Sequence, residues 1–227
     1  MSAGIKLHGI SSMATKALLG DLVKAYQSLE PVELAIESVG GVVAADRVKA
    51  KEPFDLVMLA SGALDKLIAE GFVKNKVVLA YSDVAVAIHE EGESYDISTE
   101  VALRETLLKV DTIGYSTGPS GDGLLKLFQR WDLADVLQKK LIQAPAGRSV
   151  GTLVADRTVQ IGFQQYSELY KVPGIQVLGL MPKGCEIITT FCAGLSNTTS
   201  QSEASAKFLH YLETADLAEI KHQNGLR

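Results

Sequence analysis

Along the chain, apolar positions switch between a period near two residues and one near 3.6, so strands and helices are expected in alternation. Residues 5–9 form a short apolar run that reads as a strand. Residues 13–26 follow as a helix, with Ala14, Leu18, Leu19, Leu22 and Val23 on one face and Ser11 and Ser12 where an N-cap belongs. A strand is expected over 32–36, a short helix over 42–51 and a buried strand over 54–59. A helix over 64–70 closes at Gly71, and strands follow over 76–81 and 84–88. Residues 89–98 are polar and read as a solvated loop. Residues 99–109 are helical and 112–115 a strand. The loop STGPSGDG (116–123) then leads into a helix over 124–131, which 133–139 continue. The remaining strands are expected over 141–143, 159–164, 176–180 and 186–193, and the remaining helices over 149–155, 202–214 and 217–223.

This order predicts an α/β fold of mainly parallel sheets flanked by helices. In such sheets ligands sit at the carboxyl ends of strands, near helix N-termini. Four loops qualify, at residues 9–13, 39–41, 116–123 and 144–151, each rich in Gly and Ser ahead of a helix. Free backbone N–H groups and the helix dipole make each a candidate anion cradle. None ends in the Gly-Lys-Ser/Thr of a P-loop.

Composition narrows the partners. The chain has 227 residues with 22 Lys+Arg against 27 Asp+Glu, a net charge of −5, which leaves no electrostatic footprint for nucleic acid or an anionic membrane surface. Apolar residues at 47% and charged residues at 22% suit a folded core. No run approaches the roughly 18 apolar residues of a membrane span, so no direct membrane insertion is expected. The start, MSAGIKLHGI, enters a strand directly and shows no signal peptide, which fits either a mature extracytoplasmic protein or a cytoplasmic one. Cys185 and Cys192 lie seven apart in CEIITTFC, which reads as a strand, so they face opposite sides and are expected to be unbridged buried thiols.

Several residues could carry chemistry. His8, His89, His210 and His222 lack ligand spacing, so no metal site is expected, and no motif asks for a cofactor. His8, read as the end of strand one, is either a packed core histidine or a donor or base facing a ligand. Arg148, between two glycines, is either a surface arginine or a clamp on a carboxylate. Gln164, Gln165 and Tyr166 end the strand VQIGF, and Tyr115 and Ser116 end another, so all are ligand-lining candidates. GRSVG (147–151) matches the nucleophile-elbow pattern. However, Ala144, Pro145 and Ala146 separate it from the preceding strand, and a triad would need His210 or His222 from amphipathic helices, so a serine hydrolase is not expected.

Taken in order, GISSMATKALLGDLVKAY, EPFDLVMLASGALDKLIAEG, TIGYSTGPSG, VQIGFQQYSELYKVPGIQVLGLMP and SEASAKFLHYL resemble the type II periplasmic binding proteins over nearly the whole chain. The likeness is greatest to the molybdate-binding proteins of ABC transporters and their extracellular solute-binding cousins. The resemblance implies a two-lobed fold, lobe I being residues 1–81 plus 191–227 and lobe II residues 82–190, with a small anion in the cleft. It implies a periplasmic monomer that hands its ligand to a membrane permease. Carried over by position, Ser11 and Ser12 match the first serine loop, and Ser38, Gly40 and Gly41 the second. Ser120 falls in the third and Arg148 and Ser149 in the fourth, while Gln164 and Gln165 fall near the family's ligand-binding tyrosine. The departures are SVGG in place of a serine run, glutamine in place of the tyrosine, and the added charge of Arg148. They suit a carboxylate better than molybdate.

A catalytic branch similar to this family, the aconitate isomerases, interconverts trans- and cis-aconitate. That chemistry needs clamps for three carboxylates and one group that moves a proton between allylic carbons. His8 is the first candidate for that group and Tyr115 the second. Three readings stay open at this point: a passive binder of a tricarboxylate or oxyanion, an isomerase on the same scaffold, and a cytoplasmic sensor domain.

Overall fold

The computed structural model describes residues 4–145 and 147–227, so residues 1–3 and Ala146, within the fourth loop, lie outside the described residues. In chain order the elements begin β1 (Ile5–Ser12), α1 (Lys16–Leu29), β2 (Val32–Val39), α2 (Gly41–Lys49), β3 (Leu56–Ala60), α3 (Ser61–Ala69) and β4 (Val73–His89). They continue α4 (Glu100–Lys109), β5 (Ile113–Tyr115), α5 (Pro119–Arg130), α6 (Ala134–Leu137), β6 (Leu141–Gln143), α7 (Val150–Ala155), β7 (Ile161–Gln165) and α8 (Tyr166–Leu169). The last are β8 (Ile175–Leu180), β9 (Ile188–Ser196), α9 (Ser202–Thr214) and α10 (Ala218–Gln223). They divide into unit 1, Met1–Tyr81 with Thr190–Arg227, and unit 2, Ser82–Thr189.

In unit 1, β1 pairs in parallel with β2 and β3, Ser11 lying opposite both Ser38 and Met58. β9 closes on β3 in antiparallel register, Ala60 opposite Phe191. Side chains alternate across this sheet. Leu56, Met58 and Ala60 of β3 join Phe191, Ala193 and Leu195 of β9 in a core with α1, α9 and α10, while Val57, Leu59 and Cys192 face α2 and α3. Cover on both faces explains why LVMLA has no polar position. Leu18, Leu22 and Tyr26 recur every four residues as the buried stripe of α1. Each fully buried leucine contributes roughly 1.5–3 kcal/mol.

In unit 2, β7 pairs antiparallel with the second half of β4, Val84 opposite Gln165, and β5 lies parallel to both β7 and β6. β8 also pairs with β4. Val84, Val86, Ile161 and Phe163 pack under α4 and α5. On β7, Gly162 lets α7 sit directly on the strand: a Cβ there would meet Val150 Cγ1 and Val154 Cγ2 at 2.6 Å. Thr99 caps α4, its Oγ1 accepting from the Ala102 N–H at 3.1 Å. Among the described residues no helix is long and apolar enough to cross a membrane.

Several boundaries differ from the sequence expectation. β1 and β2 run three residues past their apolar stretches, because the parallel ladder continues through Ser11–Ser38 and Ser12–Val39. Met13–Thr15 form a 3-10 turn before α1. The two strands expected around Ser82 are one, β4. Tyr81 exchanges backbone bonds with Arg227 (2.6 and 3.0 Å) and the Val84 N–H donates to the Ile187 carbonyl at 3.0 Å, so backbone pairing carries through the polar Ser82-Asp83 step. The last strand starts at Ile188, not within CEI, so Cys185 lies in a turn. It joins the unit 2 core, and Cys192 joins that of unit 1, both as free buried thiols. Asp132, at φ 57°, separates α5 from α6 where one helix was expected.

Candidate functional site

The carboxyl ends of β1 and β2 hold the first cluster. Ser11 is fully buried and its Oγ lies 2.7 Å from Ser38 Oγ. Ser12, on the opposite face of β1, shares the side of Ile10 and stands against the start of α2, its Cβ 3.8 Å from where a Gly41 Cβ would be. The Ser12 hydroxyl is buried and has no hydrogen-bond partner among the described residues. A buried polar group without a partner costs roughly 1–3 kcal/mol, so Ser12 stores a cost that a ligand can relieve. Gly40 caps α2, and the first bond inside the helix runs from the Ala44 N–H to the Gly40 carbonyl. The N–H groups of Gly41, Val42 and Val43 are therefore left without intrahelical acceptors at the positive end of the dipole.

The next strand, β3, ends in a feature the sequence reading missed. Ser61 opens α3, and Lys76 from β4 reaches it: Nζ donates to Ser61 Oγ at 2.7 Å and to Asp65 Oδ1 at 2.6 Å. The ammonium holds the Asp65 carboxyl below its usual range. No local pattern in VKNKVV distinguishes Lys76 from Lys74; only the pairing of distant strands does.

In unit 2, Tyr115 ends β5, and Ser116 and Ser120 put their hydroxyls 2.6 Å apart at the start of α5, where Ser120 is buried. The helix begins at Pro119, earlier than the loop reading of STGPSGDG allows. Gly121 is required there, since a Cβ would lie 1.9 Å from the Ser116 carbonyl oxygen. The fourth loop is arranged differently from a vacant cradle. Ser149 Oγ accepts from the Thr152 N–H at 3.1 Å as the N-cap of α7. Gln164 Oε1 accepts from the N–H groups of Val150 at 2.9 Å and Gly151 at 3.3 Å. Gln164 thus occupies the donors expected to meet an anion. Arg148 is exposed and its guanidinium pairs with Asp156 in the same unit. Gln165 is buried, its Nε2 donating to Thr189 Oγ1 at 2.6 Å while Oε1 has no partner among the described residues. Glu168, in the short helix α8 that follows, is pushed up to about 7 by burial, against a hydrogen bond with Gln164 that lowers it.

His8 does not end its strand. It is the fourth of eight residues in β1, exposed, its ring 5.1 Å from that of Phe54. Ser11 meets Ser38, Ser12 meets the start of α2 at Gly41, Ser116 meets Ser120, and Gln164 meets the N-terminus of α7. Two concavities of about 460 and 410 Å³ lie elsewhere: the first is lined by Tyr166, Tyr170, Ile175 and Val177, the second by Ile5, Tyr26 and Gln201. Among the described residues no group of three His, Cys, Asp or Glu is placed to hold a metal ion.

The chain matches the family model described as bacterial extracellular solute-binding protein over residues 7–227. It is 34% identical over 226 residues to a Pseudomonas sp. protein named aconitate isomerase, covering 96% of this chain and 86% of that protein. In fold it is similar to the Azotobacter vinelandii periplasmic molybdate-binding protein, with a TM-score of 0.79 and 16% identity over 97% of this chain and 98% of the other. It is also similar to the tungstate-binding protein of Desulfovibrio alaskensis, with a TM-score of 0.66 and 14% identity over 92% and 90% of the two chains. The architecture is that of these two-lobed α/β proteins.

Proposed function

The chain belongs to the bacterial extracellular solute-binding proteins, and from that premise we propose that it binds a small anion, a carboxylate or an oxyanion, as the solute-binding component of an ABC-type transporter. The observation that carries this reading is the Ser12 hydroxyl, buried without a partner among the described residues beside the start of α2, whose first-turn N–H groups have no acceptor within the helix. A site of neutral donors and helix N-termini takes an anion without a buried countercharge. Ser11, Ser12, Ser38, Gly40 and Gly41 in unit 1 and Ser120 and Gln165 in unit 2 are the proposed ligand-binding residues. The permease is the partner that this role requires, and the periplasm is its place.

The test is thermal unfolding with molybdate, tungstate, sulfate, citrate, cis-aconitate and trans-aconitate. A ligand at a hundred times its Kd adds about 2.7 kcal/mol, roughly 5–10 °C in Tm for a chain of this size. Ser12→Ala is expected to weaken binding of the responding anion about tenfold while leaving the free protein as stable as before or more so. Binding unchanged in Ser12→Ala overturns the assignment.

A second reading is favoured by the 34% identity to the protein named aconitate isomerase. Here the same donors hold the carboxylates and steady the dienolate charge that forms when a base removes the allylic proton. The proton then returns to the far carbon of the allyl unit. Tyr115, at the carboxyl end of β5, is better placed to carry that proton than His8, four residues short of the end of β1. Ultraviolet absorbance of a trans-aconitate solution reports turnover, and a Tyr115→Phe enzyme as fast as the wild type removes Tyr115 from the role.

A further inference from the structure

We propose that Lys76 selects for carboxylates in unit 1: its ammonium, seated at the N-terminus of α3, takes a carboxylate of a di- or tricarboxylate ligand in exchange for Asp65. The proposal rests on the anion-binding reading above and names the ligand class for that site.

The argument starts from the register. Ser11 lies opposite Met58, so the next step of the parallel ladder sets Ser12 beside Leu59, one residue short of Ala60 and two short of Ser61. Ile10 and Leu59 face α2 and α3, and the unpartnered Ser12 hydroxyl shares that face. Lys76 belongs to β4, beyond β9 in the sheet order, yet its Nζ bonds Ser61 and Asp65 at the start of α3, directly after β3. The lysine side chain therefore reaches from β4 past the intervening β9 to the end of β3. One face of the sheet thus gathers the orphaned hydroxyl, the first turns of two nine-residue helices and an ammonium group.

An ammonium has three donors. Two are used, on Ser61 and Asp65. Asp65 is the more exposed partner of the ion pair, at 55% against 29% for Lys76. A carboxylate already on Lys76 is the same chemical group as a ligand carboxylate, so the exchange preserves the charge pairing. A hydroxyl or amide in its place would not. With the Ser12–α2 cradle taking a second carboxylate, unit 1 fits a ligand with at least two.

Opposite-signed variants test this. Binding of citrate and trans-aconitate is measured by calorimetry on the whole protein for the wild type, Lys76→Met, Lys76→Arg, Asp65→Asn and Ser12→Ala, with folding checked by circular dichroism. Lys76→Met is expected to weaken the responding tricarboxylate by roughly tenfold or more, and Lys76→Arg to restore most of the loss. Asp65→Asn, which removes the competitor, is expected to tighten binding about two- to fivefold. If Lys76→Met and Asp65→Asn leave Kd unchanged, or both weaken it, the pair is only structural and the proposal falls. If Ser12→Ala weakens binding while Lys76→Met does not, the anion-binding reading stands and the role of Lys76 alone is lost. If neither tricarboxylate binds the wild type, the selection for carboxylates is overturned, and the response to molybdate or sulfate then decides the broader reading.

Discussion

Glu168 offers the most quantitative test of the unit 2 geometry. It follows Gln165 in a four-residue helix, and burial raises its carboxyl from the ordinary 4.5 to about 7, although the Gln164 hydrogen bond works in the opposite direction. Between those two values the unfolded chain has released the proton and the folded protein still holds it. Folding stability then falls as pH rises, at 1.36 kcal/mol per pH unit at most. The loss is small at pH 4.5, about 2 kcal/mol at pH 6 and on the order of 3 kcal/mol at pH 8, where both states are ionised. Glu168→Gln keeps the shape and cannot ionise. Urea unfolding of both proteins from pH 4.5 to 8 is expected to give near-equal stability at the acid end and a variant more stable by on the order of 3 kcal/mol at pH 8. A variant that is no more stable at pH 8, or a difference that does not change with pH, refutes the burial of this carboxyl.

Two further predictions concern the same unit. Gly162→Ala places a methyl 2.6 Å from Val150 and Val154, and is expected to lower stability by roughly 1–3 kcal/mol as α7 is pushed from β7, measured by urea denaturation. Arg148→Ala removes an exposed pair with Asp156; less than about 1 kcal/mol of stability and no change in anion affinity by calorimetry are expected.

Much of the fold is legible in the sequence because burial sets the period. The stripe of Leu18, Leu22 and Tyr26 announces α1, and LVMLA announces a strand covered on both faces. Legibility stops where backbone pairing, not side-chain burial, decides. Ser82-Asp83 looks like a break and is mid-strand because Arg227 and Ile187 supply the pairing. Ser11 and Ser12 look like a cap and extend β1 because β2 continues beside them. The candidate site divides in the same way. Its serines and glycines stand out because they sit between apolar runs. The use of Gln164 as the acceptor for α7 depends on how closely Gly162 lets that helix approach. The reach of Lys76 to Ser61 depends on a sheet order that places β4 and β3 on either side of β9. Neither leaves a trace in local sequence.

The division of unit 1 into two distant stretches of chain has a kinetic consequence. Its sheet needs β9, and its core needs Phe191 and Phe208, more than a hundred residues after β3. Unit 2 is one contiguous stretch, Ser82–Thr189, whose partners are all available once Thr189 has been made. During synthesis the middle of the chain can therefore close its core while β1, β2 and β3 wait with one edge unpaired. Non-local pairings of this kind form slowly. The edge of β3, fully apolar and open until β9 arrives, is the segment that a nascent chain must shield from its neighbours.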